Sequence, residues 1–378
     1  MITGSCRLCH AALPKIAMLQ LVGMPSAAQH LPSIDELHKD RGTDLNIYEC
    51  AQCGLVQTCQ EPVAYYKEVI RASAFSSEMA SFRKQQLKAW VDKYQLRNQT
   101  ILEIGAGKGE YLQLLQQAGL KVYGTEFGDA AVQDCHHQGL EVYQVFPDGS
   151  GLKLKHAPFD AFASFNFMEH WPNPKSTLLD IVKVLKPNAI GLVEVPNFDM
   201  ILKNNLFTEF ISDHIFYFTA NTLQLMLETS GFEVIEIKSI WYDYILSATV
   251  KKRSTSDISA FQDKRESLTN SLHHFADQYQ NGGVAVWGAG HQALATIALL
   301  GLDKKIKYVL DSASFKQGKF TPATHLPILP PSTLVQQPVS AVIVMAAGYS
   351  DEVVKIIQAG SHPSVKIAIL RETRLEIL

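Results

Sequence analysis

The sequence predicts an α/β protein: a doubly wound, mostly parallel sheet, preceded by a small cysteine-bearing region and followed by a second α/β unit. Three observations predict it. Ile101-Leu102-Glu103-Ile104 is an apolar run that breaks into Gly105-Ala106-Gly107-Lys108-Gly109. A buried strand turns in this way into a helix whose N-terminus can receive a ligand. Val284-Ala285-Val286-Trp287 breaks into Gly288-Ala289-Gly290-His291 in the same manner, about 180 residues later, too far for one nucleotide-fold unit. Cys6-Arg7-Leu8-Cys9 and Cys50-Ala51-Gln52-Cys53 form two Cys-x-x-Cys knuckles ahead of both. These features place domains at 1–70, 71–252 and 253–378.

The chain has 378 residues, 47% hydrophobic and 19% charged, the composition of a globular protein with ample core. A net charge of −3 offers no basic field for nucleic acid or an anionic membrane. No apolar run approaches the roughly 18 residues that a membrane span needs. The start, Met1-Ile2-Thr3-Gly4-Ser5-Cys6, lacks the charged and apolar pattern of a signal peptide. The expected location is the cytoplasm, where clustered cysteines more often bind metal than pair as disulfides. The expected assembly is a monomer or homodimer.

Zn²⁺ takes four soft ligands at tetrahedral corners, and each knuckle supplies two from a tight turn. Cys6, Cys9, Cys50 and Cys53 are therefore expected to hold one structural zinc. Four thiolates leave no open position for a catalytic water. Residues 20–45, with Pro25 and Pro32, are expected to loop between the knuckles. Cys59 and Cys135 stand alone and read as packing or surface thiols; His10 follows Cys9 and is not expected to ligate.

From about residue 76 helical patterns alternate with short apolar strands. Residues 78–95 read as a helix, 100–104 as a strand, 110–118 as a helix, 122–125 as a strand, 130–137 as a helix and 142–145 as a strand. Residues 159–165 then read as a strand, 175–185 as a helix and 190–195 as a strand. Such alternation builds a doubly wound sheet, whose ligands sit beyond the carboxyl ends of its strands. The ligand-facing residues follow. Glu103 precedes the glycine turn, where Gly105, Ala106 and Gly107 let backbone N–H groups approach a ligand. Glu126 ends the second strand, where a carboxylate can accept ribose hydroxyls. Phe127 lies beside an adenine there, and Asn166, after the fourth strand, reaches the amino-acid part of a cofactor. The Glu-x-Gly-x-Gly-x-Gly spacing differs from the Gly-x-Gly-x-x-Gly of NAD sites and points to S-adenosylmethionine.

The order of these parts resembles the class I S-adenosylmethionine-dependent methyltransferases. The whole chain is similar to the three-domain sugar C-methyltransferases, which act on nucleotide-linked 4-keto-deoxysugars. The four cysteines, the stretch from Leu102 to Glu126 and the stretch from Trp287 to Pro330 carry the resemblance. The last stretch includes Tyr308-Val309-Leu310-Asp311, Lys316-Gln317-Gly318-Lys319 and Thr324-His325-Leu326-Pro327-Ile328-Leu329-Pro330. The resemblance implies a class I methyltransferase sheet flanked by an N-terminal zinc-binding domain and a C-terminal Rossmann-like domain that helps enclose the substrate.

The segment Ile211-Ser212-Asp213-His214 follows the fifth strand. In the resembling family it holds a Tyr, a Glu and a His, the first and last in acid–base roles. Here His214 matches the His and Asp213 the Glu, while Ile211 replaces the Tyr. Methyl transfer to carbon requires removal of a proton alpha to a ketone, hence a base and help for the enolate oxygen. His214 is the expected base. His170, which matches a family His after the fourth strand, and Tyr217 are candidates for the missing help. Asp213 is expected to orient the loop and not to touch the ring beside it.

Residues 252–281 read as a connecting helix. Strands are expected at 284–287, 306–310, 341–345 and 365–370, with a helix at 292–300. Asp311 lies 21 residues after Gly290, which imitates a dinucleotide fingerprint, but Ala293 stands near the third glycine's place. The combined reading is methyl transfer from S-adenosylmethionine to a small molecule, a nucleotide-linked keto-sugar. Its rivals are O- or N-methylation of another metabolite, an NAD-dependent oxidoreductase using the C-terminal turn, and a zinc-scaffolded binding protein.

Overall fold

The computed structural model describes residues 4–29, 31–68, 76–360, 364–372 and 374–378. The chain divides into two compact units, Met1–Ser254 and Thr255–Leu378.

The first unit begins with β1 (Leu19–Met24), β2 (Thr43–Glu49) and β3 (Val56–Thr58). It continues through α1 (Ser77–Lys93), β4 (Thr100–Ile104), α2 (Glu110–Gln117), β5 (Lys121–Glu126), α3 (Asp129–His137) and β6 (Glu141–Gln144). Then come β7 (Phe159–Phe165), a 3₁₀ turn at Met168–His170, α4 (Pro174–Lys183), β8 (Leu185–Pro196) and α5 (Phe198–Lys203). The unit closes with β9 (Phe216–Tyr217), α6 (Ala220–Glu228), β10 (Phe232–Ile240) and β11 (Ile245–Lys252).

The main sheet runs β10-β11-β8-β7-β4-β5-β6. β4 through β8 pair in parallel and β11 joins β8 antiparallel. From β4 the chain builds outward to β6, then returns to β7 on β4's other side. That switch opens a crevice at the strand ends, between the glycine turn and Asn166. The central strands are apolar on both faces because helices cover both. Leu102, Ile104 and Phe162 face one core. Ile101, Ala161, Ala163 and Phe165 face the other, under Leu87, Trp90 and Leu115. Ser76 caps α1 through a bond from the Met79 N–H, with Glu78 in the first turn and Lys93 in the last, complementing the helix dipole. Gly109 has a positive φ of 88°, and a Cβ there would lie 2.4 Å from Leu140 Cδ1. The third glycine of the turn therefore serves packing as well as conformation.

The N-terminal region departs from the expected loop over 20–45. β1 occupies part of it and forms an antiparallel ladder with β2. Leu19, Leu21 and Met24 pack against the cluster of Leu45, Ile47 and Phe198, the alternation a half-buried strand requires. The sheet order is β1-β2-β3-β9. β3, which leaves the second knuckle, thus pairs with β9 of the segment carrying His214: Val56 opposes Tyr217 and Gln57 opposes Phe216.

The second unit contains α7 (Ser259–Gln278), β12 (Val284–Trp287), α8 (His291–Leu299), β13 (Ile306–Leu310), β14 (Ile328–Leu329), α9 (Thr333–Gln336), β15 (Ala341–Val344), α10 (Ser350–Ala359), β16 (Lys366–Arg371) and β17 (Arg374–Ile377). Its sheet runs β14-β13-β12-β15-β16-β17, parallel except for β17. The expected helix over 252–281 is shorter at both ends. Among the described residues no helix is long and apolar enough to cross a membrane.

Candidate active site

The four cysteines converge. Their sulfurs lie within 4.8 Å of one another, with Cys6 Sγ 3.5 Å from Cys53 Sγ and Cys9 Sγ 3.5 Å from Cys50 Sγ. A disulfide would bring sulfurs to about 2 Å. Around a Zn²⁺ with Zn–S bonds of about 2.3 Å they stand near 3.8 Å apart, so the set has the size of a tetrahedral cage. Donors point at it: Leu8 N–H and Gln57 Nε2 both reach Cys6 Sγ, at 3.4 and 3.2 Å. Burial alone would raise the Cys50 thiol, but the Cys53 and Gln52 backbone hydrogen bonds bring it down to about 7. His10 is exposed and outside the cluster.

At the carboxyl ends of β4 and β5, Glu103 and Glu126 are buried. Glu126 Oε2 accepts from Gly107 N–H at 2.9 Å, and Oε1 accepts from the N–H groups of Phe127 and Gly128 at 2.8 and 3.0 Å. The carboxylate thus ties the end of β5 to the glycine turn. Gly105 and Ala106 N–H both bond Thr125 O, and positive φ at Gly105 and Gly107 makes this folding possible. Phe127 is 42% exposed, with Lys67 Nζ 4.9 Å from its ring centroid. One flat apolar face therefore stands at the end of β5. Phe146, past β6, packs edge-on against Tyr66 and Phe167.

Asn166 follows β7 at φ 46°, a conformation Asn tolerates, and its buried Oδ1 has no hydrogen-bond partner among the described residues. Sequence reasoning missed Arg83 on α1. This side chain is fully buried, and Nη1 bonds Glu194 and Gln86. Its guanidinium lies 5.3 Å from the Tyr111 ring and 5.9 Å from the Phe165 ring, so it sits between the first turn of α2 and the end of β7. Nε and Nη2 have no hydrogen-bond partner among the described residues. Buried unmade donors are costly. Two donors and one acceptor bordering Phe165 match an amino-acid zwitterion, whose carboxylate accepts and whose ammonium donates. The site's residues thus fit the methionine part of S-adenosylmethionine. A polar residue inside the apolar face of α1 was the sequence signal for Arg83.

The third group lies between the 3₁₀ turn and β9. His170 Nδ1 is 2.9 Å from Asp213 O, so that nitrogen carries the hydrogen and Nε2 the lone pair. The His170 and His214 rings stand edge to face, 4.9 Å apart. Burial lowers His170. Burial, with His170 beside it, lowers His214 well below the usual imidazole range. Asp213 does not serve either ring with its carboxylate. Oδ1 accepts from Ala28 N–H and Oδ2 from the Tyr65 hydroxyl, both at 2.7 Å, which fastens the loop to the N-terminal region. Tyr217 is no substitute for the Tyr that Ile211 replaces: it is buried, and its hydroxyl lies 3.2 Å from both Ile211 N and O.

In the second unit, the strand ends carry Gly288 and Asp311. A Cβ on Gly288 would lie 2.4 Å from Met345 O, so close packing explains that glycine. Asp311 accepts from Ala289 and Ala313 N–H and pairs with Lys316 at 2.9 Å.

A sheet of this order, with a glycine turn after β4 and an acidic end to β5, defines the class I methyltransferase architecture. The comparisons with known proteins agree. Residues 79–237 match the methyltransferase domain family, and residues 248–368 match the C-methyltransferase C-terminal domain. The chain is an S-adenosylmethionine-dependent methyltransferase that carries a C-methyltransferase C-terminal domain. It is 21% identical over 363 residues to the C-methyltransferase NovU of Streptomyces niveus, covering 87% of this chain and 86% of that protein. The ubiquinone biosynthesis O-methyltransferase of Maricaulis maris (strain MCS10) is 30% identical over 102 residues, 26% of this chain and 40% of the relative. Among solved structures, the PH0226 protein of Pyrococcus horikoshii OT3 aligns with 50% of this chain and 97% of its own, at 14% identity and a TM-score of 0.40.

Replacing Glu126 with Ala removes the carboxylate that fastens the turn. S-adenosylmethionine affinity should then fall by roughly one to two orders of magnitude, measured by calorimetry. Unchanged affinity would show that the ribose is held elsewhere.

Proposed function

We propose that the protein methylates carbon in a nucleotide-linked keto-deoxysugar, at a position alpha to the ketone. The geometric support is the pair of imidazoles, His170 in the 3₁₀ turn after β7 and His214 just before β9, whose rings stand 4.9 Å apart. The family resemblance supplies the sugar. Glu126 and Phe127 hold the adenosine part of S-adenosylmethionine, with Glu103 and the Gly105-Ala106-Gly107 turn around it. Asn166 accepts from the cofactor's ammonium, and Arg83 donates Nε and Nη2 to its carboxylate. S-adenosylmethionine supplies an electrophilic methyl group and leaves as a neutral thioether. His214 takes the α-proton, and its lowered basicity keeps it neutral and ready at neutral pH. Activity should therefore fall on the acid side only at a pH well below 6.5. Positioning of carbon and methyl in line carries much of the remaining barrier reduction. Cys6, Cys9, Cys50 and Cys53 hold one structural Zn²⁺. The reaction takes place in the cytoplasm.

The Glu169-His170-Trp171 sequence and the O-methyltransferase similarity within the core favour transfer to oxygen as a second reading. Incubation with methyl-labelled S-adenosylmethionine and a panel of nucleotide-linked sugars, phenols and hydroxy acids, followed by mass analysis, separates them. Label should enter a keto-sugar and stay through mild acid cleavage of the nucleotide. Label found only in a phenol or hydroxy-acid acceptor would refute the sugar reading.

A further inference from the structure

His170 and His214 share their pocket with a third group that the mechanism above does not use. Glu169 is 1% exposed. Its Oε2 has no hydrogen-bond partner, and no Lys or Arg pairs with it among the described residues. Oε1 lies 3.9 Å from His170 Nε2, and a ligand atom of Glu169, His170 and His214 each falls within 4.8 Å of the others. The groups around it are the two imidazoles, Asp213, Tyr217 on β9 and Tyr244 between β10 and β11. The Asp213 carboxylate is turned away to Ala28 and Tyr65. The Tyr244 hydroxyl donates to Glu209 at 2.6 Å, and that of Tyr217 is held by Ile211. None offers a positive charge.

An isolated buried carboxylate is strongly disfavoured and binds a proton instead. Burial pushes the Glu169 carboxyl up to about 8. The lone pair of His170 Nε2 faces it at 3.9 Å, because Nδ1 is committed to Asp213 O.

We propose that Glu169 is the proton store of the active site: a neutral carboxylic acid in the resting protein that protonates His170 during the reaction. It thereby supplies the acid that Ile211 cannot. This deepens the carbon-methylation reading and rests on it for the substrate. The step balances as follows. The α C–H bond breaks and its proton goes to His214. Glu169 passes its proton to His170 Nε2, and the ketone oxygen takes that proton from Nε2 while the electron pair forms the enol carbon–carbon bond. The enol carbon then bonds the methyl carbon as the sulfur–methyl bond breaks. The hydroxyl proton returns to the His170–Glu169 pair, and the proton on His214 leaves to water. Glu169 acts through His170 and is a positioning residue.

Carbon-13 NMR of the full chain labelled at Glu carboxyls tests this without any acceptor, so a wrong sugar assignment leaves the result intact. One Glu carboxyl should titrate near pH 8, and Glu169→Gln should remove that signal. In His170→Asn its midpoint should move, because the lone pair facing it is gone. With a methylated keto-sugar in hand, wild-type turnover should fall above pH 8, where the store is empty. Glu169→Gln should be roughly 10–100-fold slower at pH 7 and lack that alkaline limb. All Glu carboxyls titrating below pH 6 would overturn the proposal. So would an unchanged alkaline limb in Glu169→Gln, or loss of a bound divalent cation from that variant beyond the zinc of the cysteines.

Discussion

His214→Asn is expected to cut turnover by roughly 10²–10⁴-fold while S-adenosylmethionine affinity stays near wild type. The half-buried imidazole packs against the rings of His170 and Tyr217. Asn keeps the polarity and much of the volume but removes the basic nitrogen. Single-turnover kinetics and calorimetry on the same sample separate the two effects. His170→Asn should cost most below pH 8, where the acid partner it removes is still loaded, and least above it. If His170→Asn proves the severe variant and His214→Asn mild, the two roles are exchanged. If both are mild, the acceptor is already nucleophilic, and carbon methylation gives way to transfer to oxygen or nitrogen.

Cys50→Ser is expected to empty the zinc cage, lower the melting temperature by on the order of 10 °C and reduce turnover, with a smaller effect on cofactor affinity. The link to turnover is the sheet. Cys50 and Cys53 set the knuckle that leads through Leu55 into β3, and β3 pairs with β9, two residues beyond His214. Thr58 N–H also bonds Ile215 O at 3.0 Å. Losing the cage loosens the strand that holds the base. Metal analysis should find one Zn²⁺ per wild-type chain and none in the variant. A variant with wild-type melting and turnover would show that the cysteines are dispensable to both.

The central sheet was readable because its strands are buried on both faces and its turns need glycine. Each apolar run ending in Gly105 or Gly288 marks a strand end. β1 was missed because its six residues, Leu-Gln-Leu-Val-Gly-Met, lie between proline-bearing stretches and pair only across a long gap to β2. β14 has two residues, too few for any pattern. The β10–β11 hairpin is reversed by Trp241, Tyr242 and Asp243, all at positive φ, where no glycine announces a turn. At the site, His170 and His214 were both named from the sequence, but their contact is tertiary. Arg83, Phe146 and Glu169 were not named, since each gains meaning only from its neighbours. Among the described residues, Arg83 is distinguished by its unpartnered donors, and Glu169 by the absence of a Lys or Arg counter-charge. The spacing of Asp311 imitates a dinucleotide fingerprint, but its contacts to Lys316 and two backbone N–H groups are tertiary and were not readable from it.

The most direct test is the position of the transferred methyl. The full-length protein is incubated with S-adenosylmethionine carrying a carbon-13 methyl group and a nucleotide-linked 4-keto-deoxysugar enriched in carbon-13. The product is read by carbon NMR. The methyl signal should be split by a one-bond carbon–carbon coupling to the ring carbon alpha to the ketone, and the α-proton should be lost from that carbon. A methyl signal without such coupling, at the shift of a carbon bonded to oxygen, would contradict carbon methylation.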